Sequence, residues 1–165
     1  MIPRVGIGYD VHRFAAGRAL VLGGVTIAHG QGLVGHSDAD ALAHAVADAL
    51  LGALALGDLG AHFPDSDARW AEVYSLDLLR HVVGLVRAEG YAVGNVDATV
   101  LTEEPRLAPH VPAMRQALAG ALGVDERQVS VKATRPEGLG GLAQGQGLAV
   151  WAVGLVVPRE ERGSK

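Results

Sequence analysis

The sequence predicts a single α/β (α+β) domain, in which helices pack on one face of a four- or five-stranded mixed sheet. The chain has 165 residues, a length that suits one domain with a hydrophobic core. Strand-like and helix-like apolar patterns are interleaved along it, without an internal repeat. Aromatic residues make up only 4% of the chain, so the core must be mainly aliphatic, and such a thin core favours oligomerisation.

The first elements are strands. The apolar segment from Val5 to Tyr9 predicts a strand at the start of the domain. The segment from Leu20 to Ile27 is also apolar but is interrupted at Gly23-Gly24, which predicts either a hairpin or a kinked pair of strands.

The first helix is predicted from Ala39 to about Leu54, with Ser37 or Asp38 as its N-cap. Its apolar residues recur at intervals of three and four and are Ala41, Leu42, Ala45, Val46, Ala49, Leu50 and Ala53. This spacing indicates one buried helix face.

The second half of the chain continues the alternation. A helix is predicted from Ser75 to Glu89 with Gly90 as its stop, and a third helix from Pro109 or Pro112 to Gly123. Three strands complete the sheet, at Ala92 to Thr102, Val129 to Ala133 and Leu148 to Val157. We therefore expect one domain over residues 1–157 and a charged C-terminal tail over residues 158–165.

Charge and composition exclude several classes of protein. The net charge of -4 argues against a nucleic-acid binder, which normally presents a basic face. The chain has no Cys, so any metal must be held by nitrogen and oxygen ligands. No apolar run reaches the length of a membrane span or of a signal-peptide core, so we expect no membrane partner and a cytoplasmic location.

One set of residues indicates a metal site. Asp10 and His12 are two residues apart on a predicted strand and share one face, and His44 lies on the first helix. Alone, the Asp-x-His pair is typical of a solvated turn, and a helical His is usually half-buried without a ligand. Asp40 and Asp48 lie one turn before and after His44, where either could orient its ring. Together these residues predict a metal ion with one position open for a substrate oxygen.

Two loops carry further candidate ligand groups. Asp58, Asp65 and Asp67 follow the first helix and suit ribose hydroxyls or a second divalent ion, although Asp and Gly in loops are ordinarily turn formers. The segment from Lys132 to Gly138 offers a hydroxyl, a guanidinium and a carboxylate, which suits a phosphate and Mg²⁺. Alone, this segment would be a charged surface turn.

Several fragments, in this order and spacing, resemble one family: Gly8-Tyr9-Asp10-Val11-His12-Arg13-Phe14, His36-Ser37-Asp38-Ala39-Asp40, Asp48-Ala49-Leu50-Leu51-Gly52-Ala53, Gly57-Asp58-Leu59-Gly60, Phe63-Pro64-Asp65-Ser66-Asp67 and Gly94-Asn95-Val96-Asp97. They resemble the 2-C-methyl-D-erythritol 2,4-cyclodiphosphate synthases of the non-mevalonate isoprenoid pathway. The resemblance extends from Arg4 to Val156.

The resemblance implies an activity and an assembly. Such an enzyme, a phosphorus-oxygen lyase, converts 4-diphosphocytidyl-2-C-methyl-D-erythritol 2-phosphate to 2-C-methyl-D-erythritol 2,4-cyclodiphosphate and releases CMP. It is a homotrimer with active sites between subunits, and it uses one Zn²⁺ per site and a Mg²⁺ or Mn²⁺ that bridges the substrate diphosphate. Two other interpretations remain open: a metal-dependent phosphohydrolase of a nucleotide-diphosphate substrate, and a trimer that only binds cytidine nucleotides or metal.

The resemblance also implies roles for individual residues. Asp10, His12 and His44 would be the Zn²⁺ ligands, and Glu137 would hold the Mg²⁺ or Mn²⁺. The substrate-binding residues would be the two ligands Asp10 and His12 together with His36, Ser37, Asp58, Gly60, Phe63, Asp65, Asp67, Thr102, Pro105, Arg106, Ala108, Thr134, Arg135 and Glu137. His36 and Arg135 are the catalytic candidates, His36 on a loop over the phosphates.

Two departures from the family pattern stand out. Arg135 occupies the position of a hydroxyl residue, either as a stronger phosphate clamp or as an outward-facing substitute. Some relatives have an aromatic residue, an Arg and a Glu near the trimer axis. At the corresponding positions this chain has Gly141, Gln144 and Gln146, respectively. The second departure argues against binding of an isoprenoid diphosphate there.

Overall fold

The computed structural model describes residues 1–35, 38–64, 67, 69–70 and 73–159. The strands are β1 (Arg4–Ala16), β2 (Leu20–Leu22), β3 (Val25–Ile27), β4 (Gln31–Leu33), β5 (Tyr91–Leu101), β6 (Val129–Thr134) and β7 (Gly147–Pro158). The α-helices are α1 (Ala41–Ala53), α2 (Leu59–His62), α3 (Ser75–Ala88) and α4 (Val111–Leu122). Short 3₁₀ turns lie at Ala108–His110, Glu126–Gln128 and Gly141–Gln144.

A five-stranded mixed sheet organises the chain. Its order is β4-β1-β7-β5-β6, in which β5 and β6 are parallel and the other neighbours are antiparallel. Helix α1 packs across β1 and β7, α3 packs against α1 and β5, and α4 packs against β6. The predicted single α+β domain with a mixed sheet is confirmed. None of the helices among the described residues is long and apolar enough to cross a membrane.

Strand β1 has two different faces. One face turns toward α1 and consists of Gly6, Gly8, Asp10 and His12, which alternate with the exposed residues of the strand. A Cβ atom on Gly8 would lie 1.9 Å from the carbonyl oxygen of Ala45 on α1, so only glycine permits this close approach. The two glycines therefore bring α1 directly onto the strand that carries Asp10 and His12.

The start of α1 corrects one prediction. The N-cap is Asp40, whose Oδ1 accepts hydrogen bonds from the backbone N–H groups of Leu42 and Ala43 at 3.1 and 3.0 Å. The same buried carboxylate accepts N–H groups of Gly23 and Gly24, at 2.8 and 2.6 Å, in the turn of the β2–β3 hairpin. The predicted Asp38 cap is wrong because Asp40 is the carboxylate that both sets of buried donors reach. The alternative cap, Ser37, lies outside the described residues.

Other elements differ from the prediction in length. Strand β1 extends to Ala16, because its end pairs with β4, an element that the sequence did not predict. The pair β2–β3 is a hairpin, with Gly23 and Gly24 both at positive φ as a tight two-residue turn requires. Strand β7 ends at Pro158, and most of the predicted tail, residues 160–165, lies outside the described residues.

The second face of the sheet is not covered by any helix among the described residues. On β1 and β7 it carries side chains that are 41–67% exposed, namely Val5, Ile7, Tyr9, Val11, Trp151 and Val153. Tyr9 and Trp151 pack on each other with ring centroids 5.0 Å apart. We call these six residues the open sheet face.

Candidate metal centre

Three potential ligand atoms meet where β1 and α1 touch. Asp10 Oδ2 lies 3.0 Å from His12 Nε2 and 3.1 Å from His44 Nδ1, and all three atoms lie within 4.8 Å of one another. Their side chains are about one-fifth exposed, so solvent or a substrate can reach the site. Ligand atoms around a tetrahedral Zn²⁺ at about 2.0–2.1 Å are about 3.3 Å apart. The two separations from Asp10 Oδ2, 3.0 and 3.1 Å, are close to that spacing.

Hydrogen bonds orient the ring of His12 for a metal. Its Nδ1 lies 2.6 Å from the carbonyl oxygen of Val34, and because a carbonyl only accepts, Nδ1 must carry the hydrogen. In the neutral ring, Nε2 then has a free lone pair, and this atom faces Asp10. The contact with Val34, the residue after β4, thus leaves Nε2 of His12 available as a metal ligand.

The Asp10 carboxylate and the neighbouring histidines affect each other's charge. Burial alone would raise the pKa of Asp10, but its contacts with His12 and His44 outweigh burial and hold the pKa well below its usual range. The contact with Asp10 in turn raises the pKa of His12, against the effect of burial. Asp10 is therefore an anion that attracts positive charge to this point, whether protons or a metal cation.

Neither carboxylate that the sequence placed beside His44 contacts its ring as predicted. Asp40 is the N-cap described above, and its pKa is raised by burial against its backbone hydrogen bonds. Asp48 Oδ1 accepts the backbone N–H of Leu59 at 2.8 Å, so it holds the start of α2. On the side of the His44 ring away from Asp10, the partner is Ser75, whose Oγ lies 2.8 Å from Nε2. The sequence contained no local signal for this contact, since the two residues are 31 positions apart.

A second group of predicted residues lines a cavity of about 330 Å³ at the ends of β5 and β6. These strands are parallel and end side by side, with Leu101 beside Thr134. The lining residues are Thr102, Glu103, Pro105, Arg106, Leu107, Ala108, Ala133, Thr134, Arg135 and Glu137. All seven residues that the sequence proposed for these two loops are among them.

Backbone geometry shapes this cavity. Thr102 donates from Oγ1 to the carbonyl oxygen of Glu104 at 2.6 Å, and its backbone N–H donates to Thr134 at 3.1 Å. These bonds tie the loop after β5 to the end of β6. Glu137 has a φ of 51°, a left-handed conformation that a non-glycine residue adopts rarely, at the turn after β6.

The remaining candidates follow α1. Asp58 is the N-cap of α2 and accepts the backbone N–H of Ala61 at 2.9 Å, and Gly60 lies in the helix itself. The ring of Phe63 packs edge-on against Trp70 with centroids 4.9 Å apart. Asp67 pairs with Arg69 at 2.6 Å. His36, Ser37 and Asp65 lie outside the described residues.

Residues 3–157 match the YgbB family. A 2-C-methyl-D-erythritol 2,4-cyclodiphosphate synthase from Syntrophomonas wolfei is 58% identical over 153 residues, which are 93% of this chain and 98% of the relative. The synthase of Salinibacter ruber is 60% identical over 149 residues, 90% of this chain and 95% of the relative.

Solved structures are also similar. The bifunctional IspDF of Campylobacter jejuni has a TM-score of 0.92 and 38% identity over 96% of this chain, which spans 43% of that longer protein. A 2C-methyl-D-erythritol-2,4-cyclodiphosphate synthase in its CDP-bound form has a TM-score of 0.86 and 35% identity, covering 93% of this chain and 99% of that one. The Plasmodium falciparum IspF in complex with CDP has a TM-score of 0.84 and 31% identity, covering 96% and 97%. The family predicted from the sequence is thus confirmed, and the chain belongs to the YgbB family, among relatives named 2-C-methyl-D-erythritol 2,4-cyclodiphosphate synthase.

Proposed function

We propose that this chain converts 4-diphosphocytidyl-2-C-methyl-D-erythritol 2-phosphate to 2-C-methyl-D-erythritol 2,4-cyclodiphosphate and CMP, as a step in isoprenoid precursor biosynthesis. The observation that carries the proposal is the convergence of Asp10, His12 and His44 on one point at the junction of β1 and α1. The names of the relatives support the same activity. The chain would act as a phosphorus-oxygen lyase.

The metal that we propose for this point is Zn²⁺, one per active site. Two imidazole nitrogens and one carboxylate oxygen are the donor set typical of catalytic zinc, which keeps a fourth position open. When bound there, Zn²⁺ would supply positive charge and a coordination position for a phosphate oxygen. The residues themselves hold the three donor atoms in place through β1, Val34 and α1.

The cavity between the loops after β5 and β6 would bind the cytidine diphosphate part. Two solved relatives are described as CDP complexes, which supports a cytidine nucleotide. Thr102, Pro105, Arg106 and Ala108 would form the cytosine side of the cavity. Its phosphate side would be formed by Thr134, Arg135 and Glu137.

On that phosphate side, the three residues offer complementary groups. The Thr134 hydroxyl can donate to a phosphate oxygen, and the Arg135 guanidinium can clamp two oxygens at once. The Glu137 carboxylate would be a hard oxygen ligand for Mg²⁺ or Mn²⁺, which would supply positive charge to the diphosphate. Arg135, which replaces the family's hydroxyl residue, would stabilise the charge on the phosphoryl group during transfer.

The reaction needs positioning more than proton transfer. The 2-phosphate of the substrate is already an anion, and one of its oxygens attacks the β-phosphorus. The bond from that phosphorus to the bridging oxygen of the α-phosphate breaks, and CMP leaves with the bridging oxygen and its electrons. His36 and Ser37 would cover the phosphates, with His36 as the second catalytic candidate.

The residues after α1 would bind the sugar parts. Asp58 would accept ribose hydroxyls, since one carboxylate oxygen can cap α2 while the other accepts a second donor. Gly60, Phe63, Asp65 and Asp67 would line the ribose and erythritol side of the site. The pair of Asp67 with Arg69 keeps the Asp67 carboxylate charged, because this contact lowers its pKa.

We further propose that the chain forms a homotrimer with its active sites between subunits. In the described part of one chain, none of Asp10, His12 and His44 lines the cavity at the ends of β5 and β6. An active site that uses both groups of residues would therefore combine the metal centre of one subunit with the cavity of another. The open sheet face, which is apolar and uncovered, would be buried against the other copies. Burial of this face would also compensate for the thin aliphatic core.

Sedimentation velocity tests the assembly. The protein should sediment as a trimer, and Trp151→Asp should shift it toward the monomer while circular dichroism stays unchanged. Tyr74→Asp is the matched control, since Tyr74 is 69% exposed and lies at the start of α3, away from the open sheet face. A wild-type monomer, or a trimer in the Trp151 variant, would contradict the proposal.

Phosphorus NMR tests the activity. With the proposed substrate and Mg²⁺, the protein should release CMP and form an eight-membered cyclic diphosphate, and a zinc chelator should abolish both. Linear phosphate products that incorporate solvent water would indicate the phosphohydrolase instead, an alternative that the named relatives do not favour. Binding of CMP without turnover would indicate a cytidine-binding module. Cytoplasmic location remains a prediction from the sequence.

A further inference from the structure

We propose that Ser75 and Asp38 are positioning residues for the metal ligand His44, and that together they select the ring nitrogen with which His44 binds the ion. The inference rests on the proposed metal role of His44. It concerns two residues that have no part in the chemistry described above.

The geometry forms a continuous chain of contacts. On one side of the His44 ring, Nδ1 faces Asp10 Oδ2 at 3.1 Å. On the other side, Nε2 lies 2.8 Å from Ser75 Oγ, and this hydroxyl donates to Asp38 Oδ1. The backbone N–H of Ser75 points at the same carboxylate, 3.3 and 3.2 Å from its two oxygens.

The direction of these hydrogen bonds follows from counting hydrogens. A carboxylate can only accept, so the single hydrogen of the Ser75 hydroxyl goes to Asp38. The hydroxyl oxygen then offers a lone pair to His44, and Nε2 must carry the ring hydrogen. In the neutral ring, Nδ1 is left with its lone pair toward Asp10 and the metal position.

The two histidines therefore use opposite nitrogens for the same purpose. His12 donates from Nδ1 to Val34 and offers Nε2, whereas His44 donates from Nε2 to Ser75 and offers Nδ1. Both ligand atoms then face Asp10. A ring of His44 with the hydrogen on Nδ1 would present a donor to the cation and could not bind it.

Burial makes the serine hard to replace. Ser75 is 1% exposed, so water has little access to take over its contact with the ring. Ser75 is also the first residue of α3, and Asp38 lies two residues before the N-cap of α1. The contact thus joins the N-terminal ends of the two helices at the metal position.

The test compares zinc affinity among variants of the full-length protein. Zinc binding is measured by competition with a chromophoric chelator, at a temperature where circular dichroism shows each variant folded. Ser75→Ala removes only the hydroxyl, because the backbone N–H contact with Asp38 remains. Ser75→Thr keeps a hydroxyl and is the rescue variant. Asp77→Asn is the charge control for Asp38→Asn, since Asp77 lies on the exposed side of α3 and pairs with Arg80.

We expect Ser75→Ala to bind zinc 10- to 100-fold more weakly, the effect typical of removing the hydrogen-bond partner of a metal-bound His. Ser75→Thr should recover most of the affinity, Asp38→Asn should lose part of it, and Asp77→Asn should match the wild type. The Co²⁺ absorption spectrum of Ser75→Ala should also change. Its turnover should recover in excess zinc, because the loss lies in loading the site.

Three results would overturn the inference. Wild-type zinc affinity in Ser75→Ala would show that the serine does not position His44. Equal losses in Ser75→Ala and Ser75→Thr would assign Ser75 to packing alone. If the wild type binds zinc no better than His44→Ala, the metal centre itself fails, and this inference fails with it. Failure of the metal centre can be told apart from failure of the serine's role alone, because the first two results require a wild-type protein that binds zinc.

Discussion

Replacing Gly8 with Ala should both destabilise the fold and damage the metal centre. The added Cβ would lie 1.9 Å from the carbonyl oxygen of Ala45 and 2.7 Å from the backbone nitrogen of Ala49. Both are backbone atoms of α1, so no side chain can turn aside. Since ordinary contact for a Cβ begins at 3.4 Å, α1 and β1 must separate by more than about 1 Å.

The size of the effect follows from this separation. Overpacking a core costs about 1–3 kcal/mol, and a clash with a helix backbone belongs at the upper end, about 3 kcal/mol. Asp10 lies two residues after Gly8 on the same face of β1, and His44 directly precedes Ala45. A shift of about 1 Å between them exceeds the tolerance of about 0.2 Å in metal–ligand distances. Zinc affinity should therefore fall at least about 10-fold.

Urea unfolding and zinc competition measure the two effects. Gly84→Ala is the control: Gly84 lies within α3, and a Cβ there would meet nothing within 4 Å. That substitution should raise the free energy of unfolding by up to about 1 kcal/mol, because alanine favours the helix. If Gly8→Ala unfolds at the wild-type urea midpoint and binds zinc with wild-type affinity, the close approach does not control the site, and the reasoning is refuted.

Three further substitutions test other parts of the structure. His44→Ala should lose zinc and turnover in the chelator and NMR assays but keep its circular dichroism spectrum; an unfolded variant would show that His44 is mainly structural. Asp40→Ala should lower the free energy of unfolding in urea by at least about 3 kcal/mol, since it removes an N-cap and leaves the buried N–H groups of Gly23 and Gly24 without their acceptor; wild-type stability would contradict this role. Asp58→Ala should weaken CMP binding in calorimetry, whereas unchanged affinity would remove Asp58 from the ribose contact.

Much of the fold could be predicted because its elements have local signals. Helix α3 was predicted from Ser75 and ends at Ala88, and α4 ends before Gly123, whose φ of 70° is the left-handed cap that a glycine favours. Strand β4 and helix α2 were missed. Each is short, and β4 exists only because the end of β1 offers it a partner.

The residues that meet at the candidate metal centre could be proposed from the sequence, but the contacts that hold them in place could not. The ligands Asp10 and His12 could be paired because residues two apart on a strand share a face, and this alternation holds in β1. The supports of His44 were assigned to the wrong carboxylates. Spacing along one helix predicted that Asp40 or Asp48 would contact the His44 ring. Each of these carboxylates instead accepts hydrogen bonds from backbone N–H groups, so neither orients the ring.

By itself, the sequence determined the family, the candidate metal ligands and the class of fold. Those properties depend on residue type and on short spacings, which chain geometry converts directly into a shared face or a helix. Only the tertiary structure decided that glycines on β1 admit α1, that Asp40 serves the β2–β3 turn, and that Ser75 and Asp38 hold His44. These contacts join residues many positions apart, and nothing in local chain geometry specifies which buried donors and acceptors meet once the helices pack on the sheet.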